Sequence, residues 1–233
     1  MNTMVKTEPE ANPAALQDAK VQAPNFDRLA KVYRWMELFT FGPCLSHCRE
    51  AFLPELASVR RALILGDGDG RFGAELLRAN PYVEICAVDA SPAMLAVLLR
   101  RAGADASRVC VCCADARGWQ PEMPPYDLVV THFFLDCLTS EECFALAARV
   151  RGAVSPRAVW IVSEFAIPES RFGRWVARPL VWLLYRAFGL LTGLKMRRLP
   201  DYHFALREAG FTLARRRAWL CGLLASEMWV RKA

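Results

Sequence analysis

The sequence predicts a doubly wound α/β fold, with a mostly parallel sheet of seven strands that ends in an antiparallel hairpin and with helices on both faces. Three observations support this prediction. Short apolar segments alternate with longer segments of helical periodicity, which is typical of parallel sheets covered on both faces. The first apolar segment runs directly into a glycine-rich turn. A length of 233 residues and a hydrophobic content of 54% suit a single domain with a sizeable core.

The first 59 residues precede the first predicted strand. Residues 1–24 carry prolines and acids and lack the apolar core of a signal peptide, so we expect a disordered tail there. From 25 to 59 apolar residues recur at helical spacing, and Gly42-Pro43 divides the pattern into two helices. We therefore expect residues 25–59 to form a helical flap across the glycine-rich turn.

The nine cysteines do not form a disulfide pattern, because their number is odd and several lie in apolar strand segments. A reducing, cytoplasmic location is the simpler interpretation. Cys44, His47 and Cys48 lie within about one helical turn of each other, but a zinc site needs a fourth ligand that the sequence does not supply. We predict that they pack a helix and that the protein binds no metal.

The turn follows an apolar strand, ALIL, and precedes an amphipathic helix. Glycines at 66, 68 and 70 allow the backbone to turn sharply and to lie close to a bound ligand. Two frames fit a nucleotide cofactor. Gly68, Gly70 and Gly73 form a GxGxxG with an acid, Asp89, about 20 residues on, which is the dinucleotide pattern. Gly66, Gly68 and Gly70 form a GxGxG, which the end of the strand at Leu65 favours.

Each later strand ends in a polar residue. The second ends at Asp89, whose carboxylate can accept hydrogen bonds from both hydroxyls of a ribose. Asp115 follows the third strand and can accept from the amino group of an adenine, and Thr131-His132 ends the fourth. Ligands of such sheets bind beyond the carboxyl ends of the strands, where Glu164 of the fifth strand also lies. Ser91 and Pro92 predict the start of a helix after the second strand.

The succession ALILGDGDG, CAVDASPAML, CADA and YDLVVTHFFLDCL resembles the motifs of class I S-adenosylmethionine-dependent methyltransferases. More loosely, FDRLAKVYRWMELFTFG is similar to the opening of the ubiquinone/menaquinone C-methyltransferase group. The resemblance implies a Rossmann-like methyltransferase domain over residues 25–233 with S-adenosylmethionine as cofactor. It implies that the methionine part of the cofactor lies on Gly66, Gly68 and Gly70 and that Asp89 binds its ribose. The adenine would lie between Ala90 and Met94 and contact Asp115 and Ala116. Tyr33 and Thr131 would make further contacts with the cofactor.

One position departs from the pattern of this family. Many members have an acid two residues before the first glycine, where this chain has Ile64. We expect Asp67 and Asp69 inside the turn to contact the cofactor's ammonium group instead, and Arg71 to contact its carboxylate.

Methyl transfer requires alignment of the reacting atoms and exclusion of water, and a base only where the acceptor loses a proton. His132 is the candidate base because it follows the fourth strand and titrates near neutrality. Asp136 is the residue expected to orient it. The alternatives are that His132 is a hydrogen-bonded wall of the pocket and that Asp136 caps the next helix. Tyr202 and His203 are more distant candidates.

From Arg171 to residue 204 the sequence predicts a helical insertion. Its stretch 175–194 is apolar with interspersed arginines, and it is too short and too rich in glycine to span a membrane. It fits a lid over a lipophilic pocket, a homodimer face or a peripheral membrane contact equally well. The late arginines also fit nucleic acid, but no DPPY or NPPY follows the fourth strand. A small-molecule or lipid-like acceptor is therefore the preferred prediction.

Two other functions remain open from the sequence. An NAD(P)-dependent reductase would use the GxGxxG frame, but it leaves Asp115 without a role. A non-catalytic methyltransferase-like scaffold or regulatory subunit would explain Ile64, and it would not bind S-adenosylmethionine.

Overall fold

The computed structural model of the protein describes residues 43–121, 125–183, 186 and 199–232. In this part of the chain seven strands form one sheet in the order β3-β2-β1-β4-β5-β7-β6. The strands are β1 (Arg61–Leu65), β2 (Glu84–Asp89), β3 (Val109–Cys113), β4 (Tyr126–His132), β5 (Val154–Phe165), β6 (Phe211–Trp219) and β7 (Leu224–Arg231). Neighbours from β3 to β5 are parallel, and β7 is antiparallel to both β5 and β6. The predicted fold class, including the C-terminal hairpin, is confirmed.

Six helices lie in the described part of the chain. They are α1 (Cys44–Arg49), α2 (Arg71–Ala79), α3 (Pro92–Ala102), α4 (Ser140–Ala153), α5 (residues 171–183) and α6 (Tyr202–Glu208), and residues 173–177 of α5 are wound as a π-helix. The predicted cap of α3 is present, since the hydroxyl of Ser91 accepts from the Met94 amide at 3.3 Å. Thr139 and Glu142 form a capping box that starts α4.

The central strands are buried on both faces, as their apolar sequences require. Four of the five residues of β1 and six of the seven residues of β4 are buried. On one face α4 and α6 pack over Trp160 and Trp229, and on the other α2 and α3 pack over the sheet through Phe72 and Leu98. This arrangement leaves the carboxyl ends of β1, β2, β4 and β5 at one edge, with the loops that follow them.

Several predicted segments have different bounds or lie outside the described residues. The tail 1–24 and most of the flap lie outside them, and the described end of the flap consists of α1 and a 3-10 turn at Leu53–Leu56. The apolar run predicts a fifth strand from Ala158 to Phe165, but the strand begins already at Val154, because Val154 pairs with Tyr126 across a bulge. Of the predicted insertion 171–204, the structure describes α5, Arg186 and residues 199–204.

Candidate functional site

The glycine-rich turn lies between β1 and α2, at the edge where the parallel strands end. Its three glycines have positive φ, 68° at Gly66, 60° at Gly68 and 74° at Gly70. A side chain at Gly70 would come within 2.5 Å of Leu98, so this glycine lets α2 pack on α3. A side chain at Gly66 would overlap the ring of Phe134. The space above Gly68 is different, since no atom of the described residues lies within 4 Å of the Cβ that it lacks. Gly68 therefore presents an open surface at the turn.

The charged residues of the turn hold the turn itself together. The carboxylate of Asp67 accepts from the Gly73 amide at 2.8 Å, and burial raises the pKa of Asp67 to about 7. Asp69 accepts from Arg71 at 3.0 Å and from Arg101 at 2.8 Å. Asp67 thus fixes the turn to α2, and Asp69 fixes it to α3. We predicted that Asp67, Asp69 and Arg71 contact the cofactor, and in the structure they contact other residues of the protein.

Asp89 lies next to the turn at the end of β2. Its carboxylate accepts from the Ser91 amide at 2.9 Å and from the Gly68 amide, and burial raises its pKa. Two backbone groups thus fix its orientation beside Gly68. Among the other predicted adenine contacts, the half-buried Ala90 and Met94 lie beside it. The structure therefore brings Gly68, Asp89, Ala90 and Met94 together.

The predicted adenine-reading residues after β3 lie further along the same edge. Asp115 is exposed and accepts from the Arg117 amide at 2.9 Å and from the Arg117 guanidinium at 3.1 Å. Ala116 is buried, and its carbonyl accepts from Arg149 at 2.8 Å. Asp115 and Ala116 thus both have hydrogen-bond donors within the protein.

Thr131 and Tyr33 differ from the rest of the predicted set. The Thr131 hydroxyl is fully buried and accepts from the indole nitrogen of Trp160 at 3.0 Å, on the face that α4 covers. It is thus part of the core beneath the site. Tyr33 lies outside the described residues.

His132 is 5% exposed and lies on the opposite face of β4 from Thr131. Its ring meets the ring of Phe72 edge-on, with 4.5 Å between the centroids. Within the described residues, neither of its ring nitrogens has a hydrogen-bond partner. Burial and the nearby charge of Arg49 hold the pKa of His132 well below its usual 6.5. At neutral pH the imidazole is therefore uncharged and has one nitrogen able to accept a proton.

Asp136 does not orient His132 in the described part of the structure. It is buried beside Glu164 and accepts from the Cys137 thiol at 3.5 Å. Glu164 in turn accepts from the amides of Phe134 and Leu135 at 3.0 and 2.8 Å. Burial and the neighbouring Asp136 raise the pKa of Glu164 well above 4.5. Glu164 therefore fixes the backbone that follows β4, with Asp136 buried beside it.

Arg49 is a site residue that the sequence did not single out. It is the last residue of α1, and its guanidinium lies 5.2 Å from the centre of the Phe133 ring. Its charge acts on both Asp67 and His132, so it lies between the glycine-rich turn and the end of β4. The only signal in the sequence was its place in the predicted flap, because the contacts join residues far apart in the chain.

Tyr202 and His203 lie on the far side of the sheet from His132. The Tyr202 hydroxyl donates to Glu227 at 3.3 Å, and His203 Nε2 lies 2.9 Å from the same carboxylate. Both side chains therefore form hydrogen bonds with the buried carboxylate of Glu227 in β7. Within the described residues, no group of three His, Cys, Asp or Glu side chains could hold a metal ion.

Comparison with known proteins identifies relatives of this arrangement. Residues 62–157 match the protein family described as "Methyltransferase domain". A trans-aconitate 2-methyltransferase from Methylobacterium radiotolerans is 33% identical over 130 residues, which cover 54% of this chain and 47% of that protein. These matches favour the GxGxG frame of the turn over the dinucleotide frame.

Solved structures have the same fold. An O-methyltransferase family protein from Burkholderia thailandensis aligns with a TM-score of 0.68 and 18% identity, over 90% of this chain and 61% of that one. The S-adenosylmethionine-dependent methyltransferase SibL, in its apo form, aligns with a TM-score of 0.64 and 25% identity, over 91% of this chain and 63% of that one. The chain spans about half the length of the curated relative and about three fifths of these two structures.

Proposed function

We propose that this protein is an S-adenosylmethionine-dependent methyltransferase that acts on a small acceptor molecule, because residues 62–157 match the family described as "Methyltransferase domain" and solved methyltransferase structures have the same fold. The name of the curated relative refers to a small organic acid, which supports an acceptor of that size. The Phe72 ring beside His132, with the buried Phe133 next in the chain, supports an acceptor with an apolar body. When bound, S-adenosylmethionine supplies an electrophilic methyl group on its sulfonium.

The residues around the turn fit this cofactor. The open surface at Gly68 accommodates a flat ligand, and the adjacent Asp89 is oriented to accept from the hydroxyls of a ribose. We propose that Arg49 binds the cofactor's carboxylate, a role expected of Arg71 from the sequence. The charge of Arg49 acts both on Asp67 in the turn and on His132 after β4, which supports a place for it beside the cofactor's charged end.

We propose that His132 accepts a proton from an acceptor hydroxyl. The observation that carries this proposal is the pair of ring nitrogens that are buried and have no partner within the described residues. An unpaired buried polar group is costly, so such a group points to a ligand that completes its hydrogen bonds. Its lowered pKa keeps the imidazole neutral, as a base must be, and the surrounding aromatic rings exclude water.

The test is a methyl-transfer assay on the purified chain with isotopically labelled S-adenosylmethionine and a panel of phenols, quinols and small carboxylic acids. For a hydroxyl acceptor, His132→Asn should lower kcat by about 100-fold or more, since general-base catalysis contributes that much. The dissociation constant for S-adenosylmethionine, measured by calorimetry, should stay within about twofold of wild type. The matched control is His47→Asn, which changes an exposed histidine on α1.

The acceptor panel separates two mechanisms. A carboxylate attacks without losing a proton, so His132→Asn should leave its methylation almost unchanged. With a hydroxyl acceptor, wild-type turnover should stay constant as the pH falls to 6.5 and decline only below it, because the lowered pKa preserves the base form. Equal turnover of a hydroxyl acceptor by His132→Asn and wild type would contradict the role of His132 as a base.

A further inference from the structure

Helix α5 has one side buried and one side covered with exposed apolar residues. Ala177 and Val181 belong to a small core formed with α1 and with the start of β7, and Gly173 on the same side is also buried. On the outer side, Trp175 is 77% exposed and Trp182 is 60% exposed. Val176 and Leu183 are also exposed on this helix. Large apolar side chains gathered on one helix usually mark a surface that another phase or molecule covers.

The same outer side is strongly basic. Arg171, Arg174 and Arg178 are exposed along α5, and the guanidinium of Arg186 lies 5.4 Å from the centre of the Trp182 ring. The sequence from 171 to 186 contains no Asp or Glu. Tryptophan has an apolar body with a polar N–H, and arginine binds phosphate with two parallel hydrogen bonds. Both residue types therefore suit the boundary between phospholipid headgroups and acyl chains.

We infer that this basic aromatic surface, formed by Arg174, Trp175, Arg178, Trp182, Leu183 and Arg186, binds an anionic phospholipid membrane. The charge pattern decides between the occupants. In a two-fold dimer each copy would present these arginines to the same arginines of the other copy, and residues 171–186 contain no acid to neutralise them. The phosphates of anionic lipids would neutralise all of them. Binding would be peripheral, and among the described helices none is long and apolar enough to cross a membrane.

The inner side of α5 links this surface to the site already described. Ala177 and Val181 belong to the same apolar cluster as Phe133, which directly follows His132. A membrane-bound chain would therefore hold its site close to a lipid phase, a source of apolar acceptors. The inference goes beyond the proposed function. Its test needs neither cofactor nor acceptor, so the membrane inference and the proposed function can fail independently.

The experiment measures cosedimentation of the full chain with sucrose-loaded vesicles, made of phosphatidylcholine alone or of phosphatidylcholine with phosphatidylglycerol. We expect binding to the anionic vesicles to be at least about tenfold tighter, and to weaken at high salt, since each arginine near the surface contributes roughly a fivefold factor. Equal binding to both vesicles, or binding to neither, would overturn the inference.

Two double variants test the surface. Trp175→Ala with Trp182→Ala should abolish binding through lost apolar contact, and Arg174→Gln with Arg178→Gln should weaken it about 25-fold. The control for charge is Arg100→Gln with Arg207→Gln, two exposed arginines on α3 and α6, which should retain most of the binding. An equal loss in this control would show that net charge, not this surface, binds lipid. A lipid-free dimer in sedimentation equilibrium that the tryptophan variant dissociates, without vesicle binding, would assign the surface to self-association.

Discussion

At the scale of single residues, the three glycines of the turn make different contributions to the structure. All three have positive φ, but a side chain would meet different surroundings at each position. Gly70 allows α2 and α3 to approach and Gly66 lies under the Phe134 ring, so both support packing within the protein. Of these three glycines, Gly68 is the one whose missing side chain leaves open space among the residues that the structure describes. Gly68 is therefore the glycine whose replacement should separate ligand binding from folding.

We predict that Gly68→Ala lowers the affinity for S-adenosylmethionine by at least about tenfold, because the new methyl group occupies the open surface and alters the amide that holds Asp89. The cost in unfolding free energy should be about 1–2 kcal/mol, which is the strain of a left-handed alanine. Gly210→Ala is the control, since Gly210 lies away from the turn, has a positive φ of 85°, and has no atom of the described residues within 4 Å of its missing Cβ. Calorimetry and urea denaturation should show similar destabilisation in both variants and weakened binding in Gly68→Ala alone; weakened binding in both would contradict the assignment.

At the scale of elements, the loop after β4 is held by the strand next to it. Glu164 of β5 accepts from the amides of Phe134 and Leu135, which begin the 3-10 turn at Leu135–Cys137. This anchor fixes where His132 and Phe133 lie relative to the glycine-rich turn. The carboxyl group is buried, and the pKa raised by burial and by Asp136 favours its protonated form.

We predict that at low pH, where the carboxyl is protonated in both the folded and the unfolded chain, Glu164→Gln changes the free energy of unfolding little, because the amide oxygen can accept the same two hydrogen bonds. Glu164→Ala should cost about 2–4 kcal/mol, since it leaves buried amides unsatisfied and a cavity. A raised folded-state pKa means that the carboxyl contributes more stability at low pH and loses it as the pH rises, so the glutamine variant should gain relative to wild type with rising pH. Urea denaturation across a pH series measures both effects, and equal losses in the two variants would contradict this role.

The sequence predicted the elements well because their signals are local. The apolar runs indicated the central strands, Ser91 and Pro92 indicated the start of α3, and the glycines indicated the turn. The face of each strand was not predictable, because buried parallel strands are apolar on both sides and show no alternation. Thr131 and His132 are neighbours, yet one bonds Trp160 in the core and the other lies beside Phe72. Local patterns also could not show that Asp67 bonds to Gly73 rather than to a ligand.

At the scale of the whole molecule, the proposed cofactor site draws on residues outside the segment that matches the methyltransferase family. That segment covers residues 62–157, whereas Arg49 comes from α1 and the core beneath it includes α5 and the start of β7. Helix α1 is tied to the sheet, since the Ser163 hydroxyl donates to the Cys48 carbonyl at 3.3 Å. Packing from both ends of the chain therefore positions one cation beside the turn.

We predict that Arg49→Gln weakens binding of S-adenosylmethionine and S-adenosylhomocysteine by about 10- to 100-fold, the value of a lost hydrogen bond between charged groups. 5′-Methylthioadenosine has the same nucleoside but no carboxylate, so its affinity should change by less than about twofold. That difference distinguishes a direct contact from a disturbed fold, because a disturbed site would weaken all three ligands alike. Arg60→Gln, at an exposed arginine before β1, is the control and should bind all three as wild type does. If Arg49→Gln bound the two amino-acid-bearing ligands normally, the carboxylate would have to be held elsewhere, and Arg71 would become the next candidate despite its ion pair with Asp69.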